Sequence, residues 1–337
     1  MVNSMTEYCD PSAILDEIEQ TGKLVEARLT EQLAGPWAGW GLPCECLCDV
    51  GLRIRPYLFR ISVEAGGIAF DEVIAVAAGI ELIQLSTLVV DDVLDKSPLR
   101  NGHPSVFSTS GAEHAISLGA IMFSAGLSLV ADGLSTGRAL TRQIKAMTTL
   151  CDVHANIYAG QIQDMQLEGK VGATEAEYLE MISKTTATFI QAPLVVGAIV
   201  SGMNEGTVTG LGQIGHAMGI AYQIRDDVLD LVRDSECTGK PVAGDLRQGK
   251  MRLPVIRALS QLTSGARRRL GELIAERPLP VSALAEAIAL VKETDAVSYC
   301  IDKVRHHCDM ARTALDALGV DVEAKARLRV LVHLVAS

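Results

Sequence analysis

Residues 75–95 read AVAAGIELIQLSTLVVDDVLD, an apolar run that ends in two adjacent aspartates and a third aspartate one helical turn later. In a helix, Asp91 and Asp95 lie on one face, because residues four positions apart are neighbours there. The pentapeptide Asp-Asp-Val-Leu-Asp returns at residues 226–230, again after a largely apolar run. Like charges this close repel one another unless a cation lies among them. The repeat therefore predicts two helices, each with a cation-binding turn.

Two interpretations of these turns are open: solvated acidic turns on the surface, or ligands of Mg²⁺. Mg²⁺ prefers oxygen ligands, keeps several of its waters and is commonly completed by substrate phosphates. Two copies of the motif, each behind an apolar run, favour the metal, since charge clusters rarely follow apolar helical faces. The motifs predict a cavity in which several Mg²⁺ ions hold one diphosphate.

The composition favours an all-α protein. Hydrophobic residues make up 48% of the 337 residues and aromatic residues only 4%, so Ala, Leu, Val and Ile supply most of the core. Proline and glycine breaks divide the chain into helices, among them an opening helix from about Pro11 to Ala34. We predict one all-α domain over residues 1–337, a helical bundle with its metal site between helices and a loose N-terminal segment at residues 1–13.

Charge and hydropathy disfavour two classes of partner. The net charge of −11 argues against nucleic acid and against docking on anionic membranes through a basic patch. The polar and acidic segment Met1–Pro11 lacks the pattern of a signal peptide, and apolar runs such as Ala75–Val90 and Ala115–Leu129 are interrupted or too short for membrane spans. We expect a cytoplasmic protein without a transmembrane segment.

The cysteines predict no metal site. Cys44, Cys46 and Cys48 have C-x-C-x-C spacing, with no second pair and no nearby histidine to complete a tetrahedral site. We expect free thiols, as is typical of a reducing compartment.

Basic residues stand where a bound diphosphate would need them, because its charge exceeds what shared metal ions neutralise. Arg100 follows the first motif in a loop that contains proline and glycine. Lys184 stands on an otherwise apolar helix, where a lysine is either a surface residue or a ligand for an anion. Lys240 and Lys250 bracket the loop behind the second motif.

Five segments together resemble the trans-polyprenyl diphosphate synthase family, also called polyprenyl synthetases. Asp91–Val106 resembles the first aspartate-rich region of that family, and Asp226–Met251 resembles the second. Gly51–Pro56 is similar to its upstream Gly-Lys-x-x-Arg-Pro element, and Tyr158–Gln161 and Lys184–Thr185 also stand at family positions. The resemblance covers most of the chain, in the family's order.

The resemblance implies an all-helical isoprenoid synthase fold with a central metal–diphosphate cavity, usually in a homodimer. About three Mg²⁺ ions and several cations would stabilise the diphosphate leaving group of an allylic substrate, so that its C–O bond ionises and isopentenyl diphosphate attacks the carbocation. The implied metal ligands are Asp91, Asp92, Asp95, Asp226, Asp227 and Asp230. The implied catalytic residues are Lys184, Thr185, Gln223 and Lys240. The implied substrate-binding residues are Arg55, Gln84, Arg100, Gln161, Lys184, Lys240 and Lys250.

Two positions depart from the family's pattern on the acceptor side. Leu52 stands where the family has the lysine of its Gly-Lys element, and Asn101 stands where it has a second arginine behind the first motif. Only Arg55 and Gln84 remain at acceptor positions. Loss of two charge-assisted contacts to one diphosphate costs about 3–6 kcal/mol, which is roughly a hundredfold or more in affinity.

Three functions remain open. A prenyltransferase would couple the allylic group to isopentenyl diphosphate or to another acceptor, and we favour this function. A class I terpene cyclase needs no acceptor diphosphate, and Leu52 and Asn101 are changes that it would predict. A regulatory subunit of a heteromeric synthase is disfavoured, because both aspartate motifs are intact.

Two small residues bear on the length of the prenyl chain. Ser86 and Thr87 stand one turn before the first motif, where an aromatic side chain would block the tail of the substrate early. Because small hydroxyl side chains leave room, we expect a substrate or product of about twenty carbons or longer.

Overall fold

The computed structural model describes residues 11–35, 37–39, 53–135, 139–232, 243–276 and 278–337. Within these residues the chain is helical almost throughout, as predicted. Their one sheet is a hairpin of two strands with two residues each. The first elements are α1 (Pro11–Ala34), α2 (Ile54–Ala65), a 3₁₀ turn (Phe70–Glu72), α3 (Ile74–Leu94), β1 (Leu99–Arg100), β2 (His103–Pro104), α4 (Val106–Ser110), α5 (Ala112–Leu134) and α6 (Leu140–Leu167). The remaining elements are α7 (Glu175–Ile182), a π-helical turn (Ser183–Ala187), α8 (Thr188–Ser201), α9 (Glu205–Val232), α10 (Gly244–Gln248), α11 (Leu253–Gln261), α12 (Ser264–Ala275), α13 (Val281–Lys292), α14 (Ala296–Ala317) and α15 (Val322–Ala336).

The chain divides into two compact units. One comprises Phe189–Gln213, Ala314–Leu331 and the described part of Met1–His154; the other comprises Ala155–Thr188, the described part of Ile214–Thr313, and Val332–Ser337. The first unit carries the first aspartate motif at the end of α3, and the second unit carries the second motif near the end of α9. The single domain over residues 1–337 and the cavity between the motifs stay predictions.

Glycines bring α3 and α5 into close backbone contact in the first unit. A Cβ atom on Gly79 would lie 2.5 Å from the carbonyl oxygen of Gly126, and a Cβ on Gly126 would lie 2.8 Å from the carbonyl oxygen of Gly79. No side chain larger than hydrogen fits such a contact without a shift of one helix. The helix that carries the first motif is therefore held at a fixed position against α5.

The start of α7 was predicted correctly. Thr174 is its N-cap, and its hydroxyl accepts a hydrogen bond from the backbone N–H of Glu177, whose carboxylate accepts one from the N–H of Thr174 in return. This reciprocal capping satisfies backbone donors that the first turn of a helix leaves open. The predicted extents of α1, from about Pro11 to Ala34, and of α9, to about Val232, also agree with the structure.

Three helical segments are long and apolar enough to cross a membrane, by length and composition alone: Ile74–Leu94, Ala112–Leu134 and Glu175–Ser201. The expectation that the apolar runs are too short was therefore wrong as to length. The apolar windows of the first and third segments are 78% and 67% buried by the protein itself, whereas that of the second is 44% buried. More than half of the apolar window of the second segment, α5, is therefore not buried by the protein itself.

Candidate active site

The first aspartate motif is closed by an arginine from the hairpin that follows it. Arg100 donates from Nε and Nη2 to Oδ1 of Asp92, at 3.0 and 2.6 Å, and from Nη2 to Oδ2 of Asp91 at 3.2 Å. Asp92 is buried, while Asp91 and Asp95 are half-buried. Burial raises the pKa of Asp92 above its usual value, although Arg100 opposes the shift. The sequence-based expectation that Arg100 lies beside the motif agrees with this geometry.

The hairpin gives Asn101 a local conformational role. Arg100 pairs with His103 across a two-residue turn in which Asn101 and Gly102 both have positive φ, 51° and 83°. This pattern is typical of a type I′ turn, for which Asn-Gly is a preferred sequence because asparagine tolerates the left-handed region better than most residues. Asn101 therefore fits the turn that presents Arg100 to the aspartates.

The second motif holds its middle aspartate in a buried network. The hydroxyl of Tyr178 on α7 donates to Oδ2 of Asp227 at 2.6 Å, and Nε2 of Gln223 donates to Oδ1 at 2.8 Å. Tyr178 is fully buried and Asp227 is 4% exposed, whereas Asp226 is exposed. Burial raises the pKa of Asp227 to about 7, even though Arg252, Tyr178 and Gln223 favour its charged form.

Asp230 caps the short helix α10 from outside. Its Oδ1 accepts from the backbone N–H of Gly244 at 3.2 Å, and its Oδ2 accepts from that of Asp245 at 3.1 Å. Burial and the neighbouring charge of Asp245 raise the pKa of Asp230 to about 6. The third aspartate of the motif thus has two backbone donors that favour its charged form, but burial and the charge of Asp245 outweigh them.

Sequence reasoning missed an arginine at the second motif. Arg252 donates from Nε to Oδ2 of Asp245 at 2.7 Å and from Nη1 to Oδ1 of Asp164 at 2.7 Å, and its Nε lies 3.9 Å from Oδ1 of Asp227. Lys250, which we expected to bind substrate, is buried with its Nζ 3.9 Å from Asp164. The only sequence signal for Arg252 was its place one residue beyond the segment that resembles the second aspartate-rich region.

The two motifs share one construction. In each, the middle aspartate is buried and bonded to protein groups, and the first aspartate is more accessible. Among the described residues, no group of three or more His, Cys, Asp or Glu side chains is already arranged to hold a metal ion. Partly accessible carboxylates suit a hard divalent cation, provided that water and a ligand complete its coordination.

Lys184 lies on the π-helical turn that follows α7. Its Nζ donates to Oε1 of Glu180 at 2.6 Å and to Oε1 of Gln163 at 3.1 Å. These three side chains line an open cavity of about 340 Å³ in the second unit. The π-turn widens the helix locally, a feature that is frequent at functional sites.

Thr186, a neighbour of the predicted catalytic residue Thr185, contacts Gln223. The hydroxyl of Thr186 donates to Oε1 of Gln223, whose amide nitrogen is bonded to Asp227. The hydroxyl of Thr185 donates to the carbonyl oxygen of Met181 at 3.1 Å, within its own helix. Gln223 is therefore held at both ends of its amide group.

The residues predicted to bind the acceptor lie in the first unit. The guanidinium of Arg55 lies over the ring of Phe189, 5.2 Å from its centroid. Gln84 is buried on α3, and its backbone carbonyl accepts a hydrogen bond from the hydroxyl of Thr87. Gln161, also predicted to bind substrate, is half-buried on α6.

Several predicted positions lie outside the described residues. They are Leu52, Lys240 and the cysteines Cys44, Cys46 and Cys48. Of the described cysteines, Cys151, Cys300 and Cys308 are free thiols.

Comparison with known proteins identifies the fold as the all-α fold of the isoprenoid synthases. The chain superimposes on geranylgeranyl pyrophosphate synthetase from Pyrococcus horikoshii with a TM-score of 0.83 and 28% identity, over 97% of this chain and 98% of the other. It superimposes on a polyprenyl synthetase from Streptomyces coelicolor with a TM-score of 0.84 and 27% identity, over 97% and 99%.

The sequence profile of the polyprenyl synthetase family matches residues 43–291, and the chain belongs to this family. It is 35% identical to a short chain isoprenyl diphosphate synthase of Methanothermobacter thermautotrophicus, over 80% of this chain and 81% of the relative. It is 31% identical to a geranylfarnesyl diphosphate synthase of Aeropyrum pernix, over 83% and 88%. The protein is a prenyltransferase, as the sequence resemblance predicted.

Proposed function

We propose that this prenyltransferase binds an allylic prenyl diphosphate through Mg²⁺ and couples the ionised prenyl group to isopentenyl diphosphate. The observation that carries the proposal is the common construction of the two motifs, in which Asp92 and Asp227 are buried and bonded to protein groups. Such contacts orient a motif and leave its other carboxylates for a cation that diphosphate and water also ligate.

The aspartates have two different roles in this proposal. Asp91, Asp95 and Asp226 present the more accessible carboxylates and hold the cations. Asp92 and Asp227 keep the motifs in position through their hydrogen bonds to protein groups. When bound, Mg²⁺ supplies positive charge that stabilises the departing diphosphate.

The basic side chains supply further charge to the diphosphate. Lys184 exchanges its contact with Glu180 for a diphosphate oxygen, because an exposed lysine–glutamate pair is worth at most about 1 kcal/mol. Arg100 stands at the edge of the first motif, within reach of a ligand bound to Asp91. Lys250 is buried with its Nζ 3.9 Å from Asp164, and its contact with the substrate stays a prediction.

Gln223 faces the developing carbocation as a fixed dipole. Its amide group is held by Thr186 at the oxygen and by Asp227 at the nitrogen, so it needs no reorganisation when charge develops. The backbone of Lys184–Thr185 on the π-turn adds carbonyl dipoles on the same principle.

Isopentenyl diphosphate is the acceptor in this proposal, although the cations expected for it are fewer here. Relatives at 31–35% identity are named as geranylgeranyl, geranylfarnesyl and short chain isoprenyl diphosphate synthases. Arg55, oriented over Phe189, is the remaining arginine for the acceptor diphosphate. A class I terpene cyclase stays the second candidate, because Leu52 and Asn101 remove two expected acceptor cations.

The product has about twenty carbons or more in this proposal. Ser86 and Thr87 are buried, and their hydroxyls donate to carbonyl oxygens of their own helix, those of Ile83 and Gln84. Small hydroxyl side chains at these positions leave more room for a prenyl tail than an aromatic side chain would.

A homodimer in the cytoplasm is the assembly that we propose. Between Ala115 and Ala131, α5 contains no charged residue, yet Ile116 on it is 51% exposed. On α6 of the same unit, Leu140 and Ile144 are 67% and 54% exposed. A second copy of the chain would cover such an uncharged face. A different partner subunit is the alternative, since one relative is named heptaprenyl diphosphate synthase component 2.

The test is an assay with Mg²⁺ or with EDTA. Dimethylallyl, geranyl, farnesyl and geranylgeranyl diphosphates are each incubated with and without isopentenyl diphosphate, and products are identified by mass spectrometry. Longer prenyl diphosphates that form only with isopentenyl diphosphate and Mg²⁺ support the proposal. Hydrocarbon or alcohol products without isopentenyl diphosphate support the cyclase, and absence of turnover in every combination contradicts both.

Two matched variants test the assignment of the metal. Asp226→Asn should lower turnover by at least about a hundredfold, because it removes one charge from the motif. Asp295→Asn is the control: Asp295 is a half-exposed aspartate paired with Arg257 and distant in sequence from both motifs. Equal effects of the two substitutions would contradict the assignment.

A further inference from the structure

We propose that Arg252 is a positioning residue that balances the charge of the second aspartate motif before a metal binds, so that the motif accepts its divalent cation together with a diphosphate rather than alone. The inference rests on the proposed function, in which this motif holds Mg²⁺. It concerns a residue that the resemblance to the family did not assign.

Arg252 connects three segments of the second unit. It precedes the first turn of α11, and its side chain is 12% exposed. Its guanidinium bonds Asp164 at the end of α6 through both Nη atoms, at 2.7 and 3.3 Å, and bonds Asp245 on α10 through Nε at 2.7 Å. A fork of N–H donors that binds two carboxylates at once fixes both of them, and a lysine has no such geometry.

Asp245 transmits this contact to the motif. Its backbone N–H donates to Oδ2 of Asp230, and its carbonyl oxygen accepts from the N–H of Lys250 at 2.9 Å. Arg252 thereby holds α10 in the position in which the backbone N–H groups of its first turn donate to Asp230. The same guanidinium lies 3.9 Å from Asp227, the buried aspartate of the motif.

Counted as ionised, the groups around the guanidinium leave one net negative unit, to which Asp226 and Asp230 of the motif add further negative charge. The described carboxylates around the guanidinium are Asp164, Asp227 and Asp245, and the two cations are Arg252 and Lys250. Without Arg252 the cluster would carry two net negative units in a poorly solvated place. Attraction for a divalent cation grows with that charge and is weakly screened by salt when the groups are buried.

A motif whose negative charge is partly offset binds Mg²⁺ less readily before its ligand arrives. Mg²⁺ gives up its waters reluctantly, so a site of low net charge holds it weakly until phosphate oxygens complete the coordination. Arg100 stands in a similar relation to Asp91 and Asp92 of the first motif. Arg252 would thus couple entry of the cation to entry of the diphosphate.

Isothermal titration with Mg²⁺, with and without inorganic diphosphate, tests the inference without any turnover. Arg252→Met should bind Mg²⁺ alone about tenfold more tightly than the unmodified protein, because one positive charge is gone. Arg252→Lys keeps the charge and should stay within about threefold. Arg257→Met, which removes an arginine of α11 paired with Asp295 at the surface, should leave the affinity unchanged.

Asp164→Asn should change the affinity for Mg²⁺ alone in the opposite direction from Arg252→Met. It removes a negative charge from the same cluster, so Mg²⁺ alone should bind several-fold more weakly. General structural damage would weaken binding in both Arg252→Met and Asp164→Asn, and that outcome, or unchanged affinity in both, overturns the inference. If Arg252→Met does not fold by circular dichroism, Asp164→Asn and Arg252→Lys decide the question by the same criteria.

With inorganic diphosphate present, the differences among the variants should shrink, because the diphosphate supplies most of the ligating charge. Failure of the inference is distinguishable from failure of the proposed function. In the first case the unmodified protein binds Mg²⁺ with diphosphate, but Arg252→Met and Asp164→Asn do not change the affinity for Mg²⁺ alone in opposite directions. In the second case the unmodified protein binds no Mg²⁺ under either condition.

Discussion

The hydrogen bond between Tyr178 and Asp227 allows a sharp test, because the protein contains a second buried tyrosine in a similar bond. Tyr178 donates to Asp227 at 2.6 Å, and Tyr57 donates to Glu17 at 2.7 Å. Both tyrosines are fully buried, but the side chain of Asp227 is 0% exposed and that of Glu17 is 31% exposed. The two phenylalanine substitutions therefore remove the same hydroxyl and differ in the solvation of the acceptor that remains.

Tyr178→Phe should lower the free energy of unfolding by about 1.5–3 kcal/mol, because a buried carboxylate oxygen loses its donor and water cannot replace it. Tyr57→Phe should cost only about 0.5–1.5 kcal/mol, since Glu17 keeps its ion pair with Arg327 and access to solvent. Differential scanning calorimetry in EDTA measures the two losses side by side.

The same substitution should affect the metal. Outer contacts orient the carboxylates that ligate a cation, and their loss typically costs roughly ten- to a hundredfold in metal affinity or activity. We therefore expect Tyr178→Phe to raise the Mg²⁺ concentration needed for half-maximal turnover, and Tyr57→Phe to leave it unchanged. Equal losses of stability in the two variants, together with equal Mg²⁺ requirements, would refute the reasoning about Asp227.

Three further predictions concern packing, pH and product length. Gly79→Ala should destabilise the protein by about 1–3 kcal/mol in calorimetry, because its methyl group would meet Gly126. Gly265→Ala on α12 has open space and should stabilise the protein by roughly 0.5–1 kcal/mol. Equal effects of the two substitutions on stability would contradict the close packing at Gly79. The pKa of Asp227 is about 7 in the fold, above its ordinary value of 3.8, so its contribution to metal-free stability is present below about pH 4 and is lost as the pH rises through 7. Asp227→Asn should accordingly gain stability relative to the unmodified protein between pH 5 and pH 8 in EDTA, and a constant difference would count against the raised pKa. Ser86→Phe should shorten the longest product seen by mass spectrometry, and an unchanged product would show that this position does not face the prenyl tail.

The departures at the acceptor side take on a different meaning in the folded chain. From sequence alone, Asn101 was a missing cation. In the structure it occupies the left-handed first position of the turn that aims Arg100 at Asp91 and Asp92. An arginine at that position would have to adopt the same left-handed backbone, at a cost of roughly 1–2 kcal/mol. Asn101 thus lacks the charge expected at this position, but it fits the turn that positions Arg100 better than an arginine would.

Much of the fold was predictable from local patterns. The long helices, the capping of α7 by Thr174 and the helical setting of both aspartate motifs follow from periodicity and capping residues within a few positions of one another. Arg100 was predictable for the same reason, because it follows Asp92 by only eight positions. The length of the apolar helices was underestimated, since single polar residues inside them looked like interruptions.

The amino-acid sequence by itself determined where the carboxylates stand, that two sets of them exist on helices, and which family the chain resembles. Only the tertiary structure decided which aspartates are buried and which groups meet them. Tyr178 comes to Asp227 from 49 residues away, and Arg252 comes to Asp164 from 88 residues away. Spacing along a helix is a local property of the backbone, whereas burial and ion pairing depend on which distant helices pack together. For that reason the charge balance at the second motif appears only once the chain is folded.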